Sequence, residues 1–415
     1  VLLPFNTSQL KADDLNRIFN EGREKITEKN YDEALKKFNE VIKKNPEYWQ
    51  AYHNRGLTKQ NLKNYKGAIS DFSNAIKLNQ KQWAQSFLSR GYNKQRISDH
   101  KGAIADSTIA INLDPQNYYS YYVRATSKGQ IGNYNEAIKD LDTALTKNPE
   151  DKYSFWQRGF YKFQIGDFKG SLKDYSATIN IDPKDSTLYL NRASVYVALK
   201  NYKKANLDYE KVLDIGDDTQ KLESVIYMID NYLISNLSKV PEIIKKAKLL
   251  LNQSDNKEKE TFLLYAESRY YINIGNFNKS EELAKKCLAK TNDSFLENAC
   301  SSLLSNIYID NKDYDKAKKF IKFRTYEGQL SLAYIAFMEK KLQKAERILR
   351  RLYKRQFKTE GFRNPDPYLS SMVGSALWFQ GKNNEAKVFH KESLETYKSI
   401  YGENNPLLIQ PYINL

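Results

Sequence analysis

The stretch NPEYWQAYHNRGLTKQNLKNYKGAISDFSNAIKLN (45–79) decides the fold, because its pattern returns along the chain at a nearly constant interval. Its alanine at position 68 begins a series of small residues that are 35, 34, 34 and 34 residues apart: Ala68, Ala103, Ala137, Ser171 and Ala205. Small residues at this period, with apolar residues at helical spacing on both sides, predict helix hairpins that bury their apolar faces against neighbouring hairpins. We therefore expect an extended surface that holds other molecules.

Aligning the chain on these small residues gives six units: 15–48, 49–82, 84–117, 118–151, 152–185 and 186–219. The eighth position of each unit is small, which lets the two helices of a hairpin approach closely: Gly22, Gly56, Gly91, Ala125, Gly159 and Ala193. The seventeenth position opens the second helix with a ring: Tyr31, Tyr65, His100, Tyr134, Phe168 and Tyr202. Gly132 and Gly166 indicate tight turns inside their hairpins.

Residues 45–79 resemble the tetratricopeptide repeat family, and so does YYVRATSKGQIGNYNEAIKDLDTALTKNP (121–149). The resemblance is specific, because several positions agree in register across six units. It implies an all-α, right-handed superhelical solenoid of antiparallel helix hairpins, with about ten or eleven hairpins. It also implies a concave face that binds partners.

The register is interrupted between residues 220 and 260. Residues 221–237 and 241–252 each read as an amphipathic helix, and we interpret the region as a degenerate hairpin that joins two sub-arrays, 1–219 and 261–415. The second sub-array holds four weaker units. Its last unit, which runs into YGENNP (401–406), resembles the 42-residue repeat of kinesin light chains and many bacterial regulators.

The final ten residues read as an opening helix with no partner. Because a solenoid normally ends with a polar capping helix, we expect this chain to be the repeat region of a longer protein. No apolar run approaches the roughly 18–20 residues of a membrane span. We expect a cytoplasmic location, and a periplasmic or secreted protein that has lost its leader is the alternative.

The chain has two cysteines, Cys287 and Cys300, which excludes a disulfide framework as the main source of stability. We favour two buried thiols that pack as small apolar residues, and a single bridge between adjacent helices is the alternative. The 66 basic and 50 acidic residues give a net charge of +16, which favours a neutral or acidic partner. Part of this excess is explained by a background rich in Lys, Asn, Ile and Tyr.

Charged residues also recur inside the units. The seventh position holds Arg55, Arg90, Arg124, Arg158 and Arg192, and the twenty-third holds Asp71, Asp106, Asp140, Asp174 and Asp208. The eleventh holds Lys25, Lys59, Lys94, Lys128 and Lys162. Because a carboxylate accompanies each arginine at fixed spacing, we predict an internal ladder of ion pairs between helices rather than a cationic stripe for a polyanion. Half-exposed pairs of this kind each contribute well under ~1 kcal/mol.

In tetratricopeptide arrays, positions 2, 5, 9, 12 and 13 of each first helix build the inner wall. That rule gives units three to five an aromatic, amide-rich groove, and it also places His53 of unit two on the wall. The predicted partner-binding residues are Tyr92, Tyr119, Tyr122, Tyr153, Trp156, Phe160, Phe163 and Gln164. Rings and amides suit an extended peptide. Burial of these rings as ordinary core is the alternative.

A second candidate surface is the basic helix 344–363, with eight basic and two acidic residues. Its predicted outer face carries Arg347, Arg351, Lys354 and Lys358. A solvated helix face is the simplest interpretation, and contact with an acidic partner or RNA is the alternative. Such contacts would be strongly salt-sensitive.

The sequence offers no catalytic residues and no cofactor or metal site. It has no Gly-rich phosphate loop, and its three histidines lack metal-ligand spacing. We therefore predict a protein-interaction scaffold that is not an enzyme and binds a peptide or partner domain on its concave surface. Two alternatives are the sensory part of a larger bacterial effector, and an anion or RNA binder that uses 344–363.

Overall fold

A computed structural model describes residues 7–79, 83–252, 257–323, 325–359 and 366–401, without the side chains of 7–12, 257–258, 356–359 and 400–401. The described residues form α-helices and one short 3-10 turn, and they contain no strand. The chain divides into two compact units, Val1–Gln220 and Lys221–Leu415. The all-α repeat fold expected from the sequence is confirmed.

The first unit is a run of helices in which each first helix packs against the second helix of its own hairpin and of the hairpin before it. The helices are α1 (Thr7–Thr27), α2 (Tyr31–Lys44), α3 (Trp49–Asn61), α4 (Tyr65–Leu78), α5 (Ala84–Arg96), α6 (His100–Leu113), α7 (Tyr118–Gln130), α8 (Tyr134–Lys147), α9 (Lys152–Gln164), α10 (Phe168–Ile181), α11 (Ser186–Ala198) and α12 (Tyr202–Ile215).

The core of this unit is a seam shared by neighbouring hairpins. One cluster joins Leu88 of α5, Ala110 of α6 and Val123 of α7, and all three are buried. The repeated alanines of the second helices are fully buried in the same seam. Removing an element therefore exposes the apolar face of its neighbour, which is why these hairpins depend on stacking.

The turn inside each hairpin uses a left-handed residue followed by a helix cap. Gly132 and Gly166 have φ values of +83° and +81°, as the sequence suggested. Lys63 takes the same role without being glycine, at φ 58°. Asn64 follows it and accepts a hydrogen bond from the backbone N–H of Gly67, which starts α4. A left-handed residue followed by a helix cap thus reverses the chain within three residues.

The small eighth-position residues are required by close packing. A Cβ added to Gly56 would lie 2.9 Å from the ring of Phe72, which is fully buried in α4. The large ring of the second helix therefore fills the space that the glycine of the first helix leaves open. This complementarity sets the separation of the two helices.

The predicted ion-pair ladder is present, and it is more buried than expected. In α9 and α10, Arg158 donates from Nε and Nη2 to both oxygens of Asp174, at 2.8 and 2.6 Å. Lys162 completes the site at 2.9 Å from Asp174, whose side chain is 0% exposed. The same bidentate pair recurs at Arg55–Asp71, Arg90–Asp106, Arg124–Asp140 and Arg192–Asp208.

Each of these arginines also reaches the preceding hairpin. Nη1 of Arg158 donates to Asp142 of α8 at 2.6 Å, and Nη1 of Arg124 donates to Thr108 of α6 at 3.3 Å. Arg55, Arg90 and Arg192 make the equivalent bonds to Asn39, Ser73 and Ser176. The ladder therefore ties successive hairpins together as well as the two helices of one hairpin.

The next helix, α13 (Asp218–Ser235), begins in the last three residues of the first unit and lies mostly in the second. The other elements of the second unit are a 3-10 turn (Leu237–Lys239), α14 (Val240–Asn252), α15 (Lys257–Asn273), α16 (Phe277–Lys290), α17 (Ser294–Asp310), α18 (Tyr314–Phe320), α19 (Tyr326–Met338), α20 (Leu342–Thr359), α21 (Pro367–Trp378) and α22 (Asn383–Tyr401). The predicted unpaired helix in the final ten residues lies outside the described residues, and the division into sub-arrays stays a prediction.

The expectation of two free thiols is wrong. Cys287 of α16 and Cys300 of α17 form a disulfide, and both residues are fully buried. The second helix of one hairpin packs against the first helix of the next, which places the two residues side by side. Their separation of 13 residues spans the turn between these helices. The alternative of a single bridge between adjacent helices is the one realised.

Within the described ranges, the structure contains no helix that combines the length and the hydropathy of a membrane-spanning segment.

Candidate functional site

Three consecutive first helices of the first unit, α5, α7 and α9, surround a cavity of about 750 Å³. Four of the predicted partner-binding residues line it together: Tyr92, Tyr119, Tyr122 and Tyr153. The remaining lining residues are Gln95, Arg96, Ser98, His100, Tyr118, Thr126, Gln130 and Asp151. The cavity lies where neighbouring hairpins meet, so no single repeat contains it.

The tyrosine rings form one connected surface along the cavity. Tyr119 and Tyr122, one helical turn apart on α7, are stacked with their centroids 5.6 Å apart and their planes at 15°. The ring of Tyr92 lies 6.5 Å from that of Tyr119. All three rings pack against the buried cluster of Leu88, Ala110 and Val123 and remain partly exposed. They are therefore both core and cavity wall, which combines the two interpretations that the sequence left open.

Burial shifts the titration of these phenols still further above neutral pH. Burial raises the pKa of Tyr119 well above its usual range, and Tyr92 and Tyr122 reinforce the effect. Burial raises the pKa of Tyr122 to about 12, with further contributions from Asp151 and Tyr153. At neutral pH both hydroxyls thus remain protonated and can donate as well as accept hydrogen bonds.

An amide of the predicted wall is used to join two repeats. Nε2 of Gln95 on α5 donates to Thr126 Oγ1 at 2.5 Å and to Ser127 Oγ at 3.2 Å, both on α7. Thr126 in turn donates to the backbone carbonyl of Tyr122 at 2.9 Å. Gln95 therefore fixes one side of the cavity. Gln130, at the end of α7, is exposed beside it.

Two residues of opposite charge line the cavity. Arg96 is the last residue of α5, and its guanidinium lies 5.5 Å from the centroid of the Tyr65 ring. Asp151 caps α9, and its Oδ2 accepts a hydrogen bond from the backbone N–H of Ser154 at 2.9 Å. Asp151 was not singled out from the sequence, because an aspartate before a helix reads first as a cap.

The other four predicted residues do not line this cavity. Trp156 packs against Ile179, Leu188 and Val212, and with Tyr153 it lines a separate hollow of about 250 Å³ toward α11. Phe160 is 40% exposed, and Phe163 lies 5.5 Å, ring to ring, from Phe168 of its own hairpin. Gln164 is exposed at the end of α9. The sequence could not tell which of these rings share a space.

His53 is not a wall residue, contrary to expectation. It is buried, its Nδ1 lies 3.0 Å from Ser86 Oγ, and its ring lies 4.5 Å from that of Trp83. Burial lowers its pKa to about 4, so the imidazole is neutral at physiological pH. The inner wall of unit two is covered here by the first helix of unit three.

The basic helix is α20, and its predicted orientation holds where the structure describes it. Ala345, Leu349 and Leu352 are buried, whereas Arg347, Arg351 and Lys354 are exposed. The side chain of Lys358 lies outside the described residues. Arg350 is neutralised, since it pairs with Glu346 at 2.8 Å and with Glu385 at 2.6 Å. The partner of this patch stays a prediction.

The second unit has a hollow that sequence reasoning missed. It measures about 470 Å³ and lies mainly between α17 and α19. Phe295, which is 67% exposed, stands at its edge beside Asn298 and Ser302. The weaker register of these repeats concealed the corresponding inner positions. Across the described part of the chain, no group of three His, Cys, Asp or Glu residues is placed to hold a metal ion.

Comparison with known families now identifies the repeat. A model of the tetratricopeptide repeat matches residues 50–82, 118–151, 186–215 and 302–322, and a second model of the same repeat matches 371–407. The chain is a tetratricopeptide repeat (TPR) protein. The matches fall in both compact units of this TPR protein, and its general role is that of a protein-interaction scaffold. The 42-residue variety proposed for its last repeat stays a prediction.

The solved structures that are similar to this TPR protein have low sequence identity to it. YrrB, a TPR protein with an unusual peptide-binding site, is 21% identical over 45% of this chain and 96% of its own, with a TM-score of 0.39. PilW, a type IV pilus biogenesis factor, is 17% identical over 48% and 92%, with a TM-score of 0.45. A TPR protein from Parabacteroides merdae is 14% identical over 70% and 99%, with a TM-score of 0.43. No curated protein matches the chain.

Proposed function

We propose that this TPR protein binds an extended peptide segment of a partner protein in the cavity lined by Tyr92, Tyr119, Tyr122 and Tyr153, which we call the tyrosine cavity. The observation that supports this most directly is that four rings predicted to bind a partner lie around one open space. Its volume of about 750 Å³ is within the range of ligand sites in proteins.

The chemistry of the walls suits a peptide. Tyrosine offers a large apolar face at little conformational cost, and its hydroxyl pairs with the peptide backbone. The rings of Tyr119 and Tyr122 are already stacked, so little order has to be gained on binding. A partner can therefore contribute apolar side chains to the rings while its backbone hydrogen-bonds to the phenols.

The test compares two aromatic truncations in the full chain. Peptides that bind are first selected from a random displayed library, and the affinity of the best one is measured by calorimetry for the wild type, Tyr119→Ala and Trp156→Ala. We expect Tyr119→Ala to weaken binding by at least about tenfold, since loss of a buried aromatic contact costs upwards of about 2 kcal/mol. Trp156→Ala should change the affinity less than about threefold, since Trp156 lies in the separate hollow.

Thermal unfolding of both variants controls for damage to the fold, because both rings pack partly against the core. The proposal fails if no peptide is selected, or if the two substitutions weaken binding equally while both proteins remain folded.

We also infer that the protein works in an oxidising compartment, such as the periplasm or the extracellular space, rather than in the cytoplasm. The support is the buried disulfide between Cys287 and Cys300, because such bonds persist in oxidising surroundings and are rare in the cytosol. The oxidation state of these two cysteines in the native protein tests this inference.

A further inference from the structure

We propose that the tyrosine cavity is a subsite for a cationic side chain, lysine or arginine, of the bound peptide, with the cation held by Asp151 against the rings of Tyr119, Tyr122 and Tyr153. This inference rests on the proposed peptide-binding function. It adds the chemical class of the peptide residue that the tyrosine cavity recognises.

Asp151 supplies an available negative charge at the wall of the cavity. Its Oδ2 accepts from the N–H of Ser154, and its Oδ1 has no hydrogen-bond partner in the described part of the chain. The neighbouring Lys152 does not neutralise it, because the ammonium of Lys152 pairs with Asp182 at 2.7 Å. One carboxylate oxygen of Asp151 is thus free to accept a charge-assisted hydrogen bond.

The rings beside Asp151 present the negative face that attracts cations. Tyr153 is 58% exposed and already has an ammonium near it, since Nζ of Lys152 lies 5.3 Å from its centroid. Tyr119 and Tyr122 are partly exposed to the same space. A cation within about 6 Å of such a face gains roughly 0.5–2 kcal/mol, and the upper end applies where water is excluded.

Four other features of the surroundings act on a bound cation. Arg96 repels it, but Arg96 lies at the end of α5, and Asp151 lies at the start of α9. His100 also lines the cavity. The positive end of the α9 dipole also opposes a cation, but it amounts to about half a charge, and Asp151 carries a full one. The protein's net charge of +16 also repels a cation, but salt screens charges that lie more than about 8–10 Å from it. The local carboxylate therefore decides the preference.

The fold provides a matched control for Asp151. Asp185 occupies the same repeat position one unit later, where it caps α11 through the N–H of Thr187 at 2.9 Å, and it lines the separate hollow. Asp151→Asn and Asp185→Asn each remove one charge and keep a side-chain oxygen that can cap a helix. Asn117 caps α7 at the same position one unit earlier, so asparagine is compatible with this site.

The first experiment selects ligands without assuming their sequence. A phage library of random short peptides is panned against the immobilised full chain, Asp151→Asn and Asp185→Asn, and the recovered peptides are sequenced. We expect lysine or arginine to be enriched at one peptide position for the wild type and Asp185→Asn, and this enrichment to be lost for Asp151→Asn.

The second experiment measures the coupling between the peptide cation and Asp151. In the best peptide the enriched basic residue is replaced by glutamine, and both peptides are titrated calorimetrically into the wild type and Asp151→Asn. The replacement should weaken binding to the wild type about tenfold, in line with a cation that contacts aromatic faces and a carboxylate. It should cost clearly less with Asp151→Asn, about threefold, because only the contact of the cation with the rings is then lost.

The outcomes separate this inference from the function it depends on. Peptides that need Tyr119 but show no basic preference, or whose preference survives Asp151→Asn, overturn the cationic subsite and leave peptide binding intact. Enrichment of acidic residues would show that Arg96 governs the cavity, and it also overturns the subsite. If no peptide binds the wild type, both the subsite and the proposed function are rejected.

Discussion

At the residue scale, the repeated Arg–Asp–Lys group stabilises the structure both within one hairpin and between successive hairpins. Asp174 is completely covered, whereas Arg158 and Lys162 retain 14% and 16% of their side-chain exposure. Arg158 also lies over the ring of Phe155 and bonds to the preceding hairpin. Asp174 therefore holds Arg158 in place. Arg158 in turn links the two helices of its own hairpin, packs on the ring of Phe155 and bonds to the preceding helix.

Asp174→Asn should destabilise the first unit by about 2–3 kcal/mol, because it leaves Lys162 without a counter-charge and Arg158 with only the more exposed Asp142. The cost is below that of a fully buried pair, since both cations partly reach water. Chemical denaturation followed by circular dichroism measures the shift in midpoint. Glu136→Gln is the control, since Glu136 pairs with Lys139 on the exposed face of α8, and its removal should leave the midpoint unchanged. Equal shifts for both variants would contradict the structural role of the ladder.

At the element scale, the hairpin turn explains why the repeats tolerate different residues at the same position. The left-handed residue is glycine in two hairpins of the first unit, but it is Lys29, Lys63, Ser98 and Lys200 in the others. The sequence revealed only the turns that contain glycine, because lysine carries no signal for a positive φ. The helix caps that follow, such as Asn64 and Asp99, compensate by anchoring the next helix.

Lys63→Gly should therefore stabilise the first unit by up to about 1 kcal/mol, because glycine adopts the left-handed conformation without the steric strain that a lysine Cβ causes there. The same substitution at Lys173, an exposed position inside α10, should destabilise it by about 1 kcal/mol. Denaturation midpoints of the two variants are compared with the wild type. A loss of stability in Lys63→Gly would show that the turn strain is negligible compared with the entropy that glycine adds to the unfolded chain.

At the scale of the whole molecule, the single disulfide is the feature that distinguishes the two compact units. The first unit contains no cysteine, and the second joins α16 to α17 through Cys287 and Cys300. If the protein matures in an oxidising compartment, the native protein isolated without reductant should resist thiol alkylation even after denaturation. It should accept two alkyl groups only after reduction, which mass spectrometry detects. Two reactive thiols in the unreduced protein would place it in a reducing compartment.

The sequence predicted the period, the hairpins and their pairing with little ambiguity. A helix hairpin needs only its own small, aromatic and capping residues, and these recur visibly every 34 residues. The ion-pair ladder could also be predicted from the sequence, because Arg and Asp at fixed offsets within one unit lie on adjacent helices of the same hairpin. The basic face of α20 was read from the same local periodicity. The inner positions of the second unit are less regular, and the sequence did not predict the hollow that they line.

The sequence by itself thus determined every feature that depends on neighbours within one repeat: the all-helical hairpins, the buried alanines and the Arg–Asp pairs. Tertiary structure decided what depends on the distance between repeats. It grouped Tyr92, Tyr119, Tyr122 and Tyr153 around one cavity and left Trp156 in another, and it buried His53 under the next helix. It also paired the two cysteines. The physical reason is that a period fixes which faces meet, whereas a cavity or a bond depends on ångström-scale separations set by all the packed side chains together.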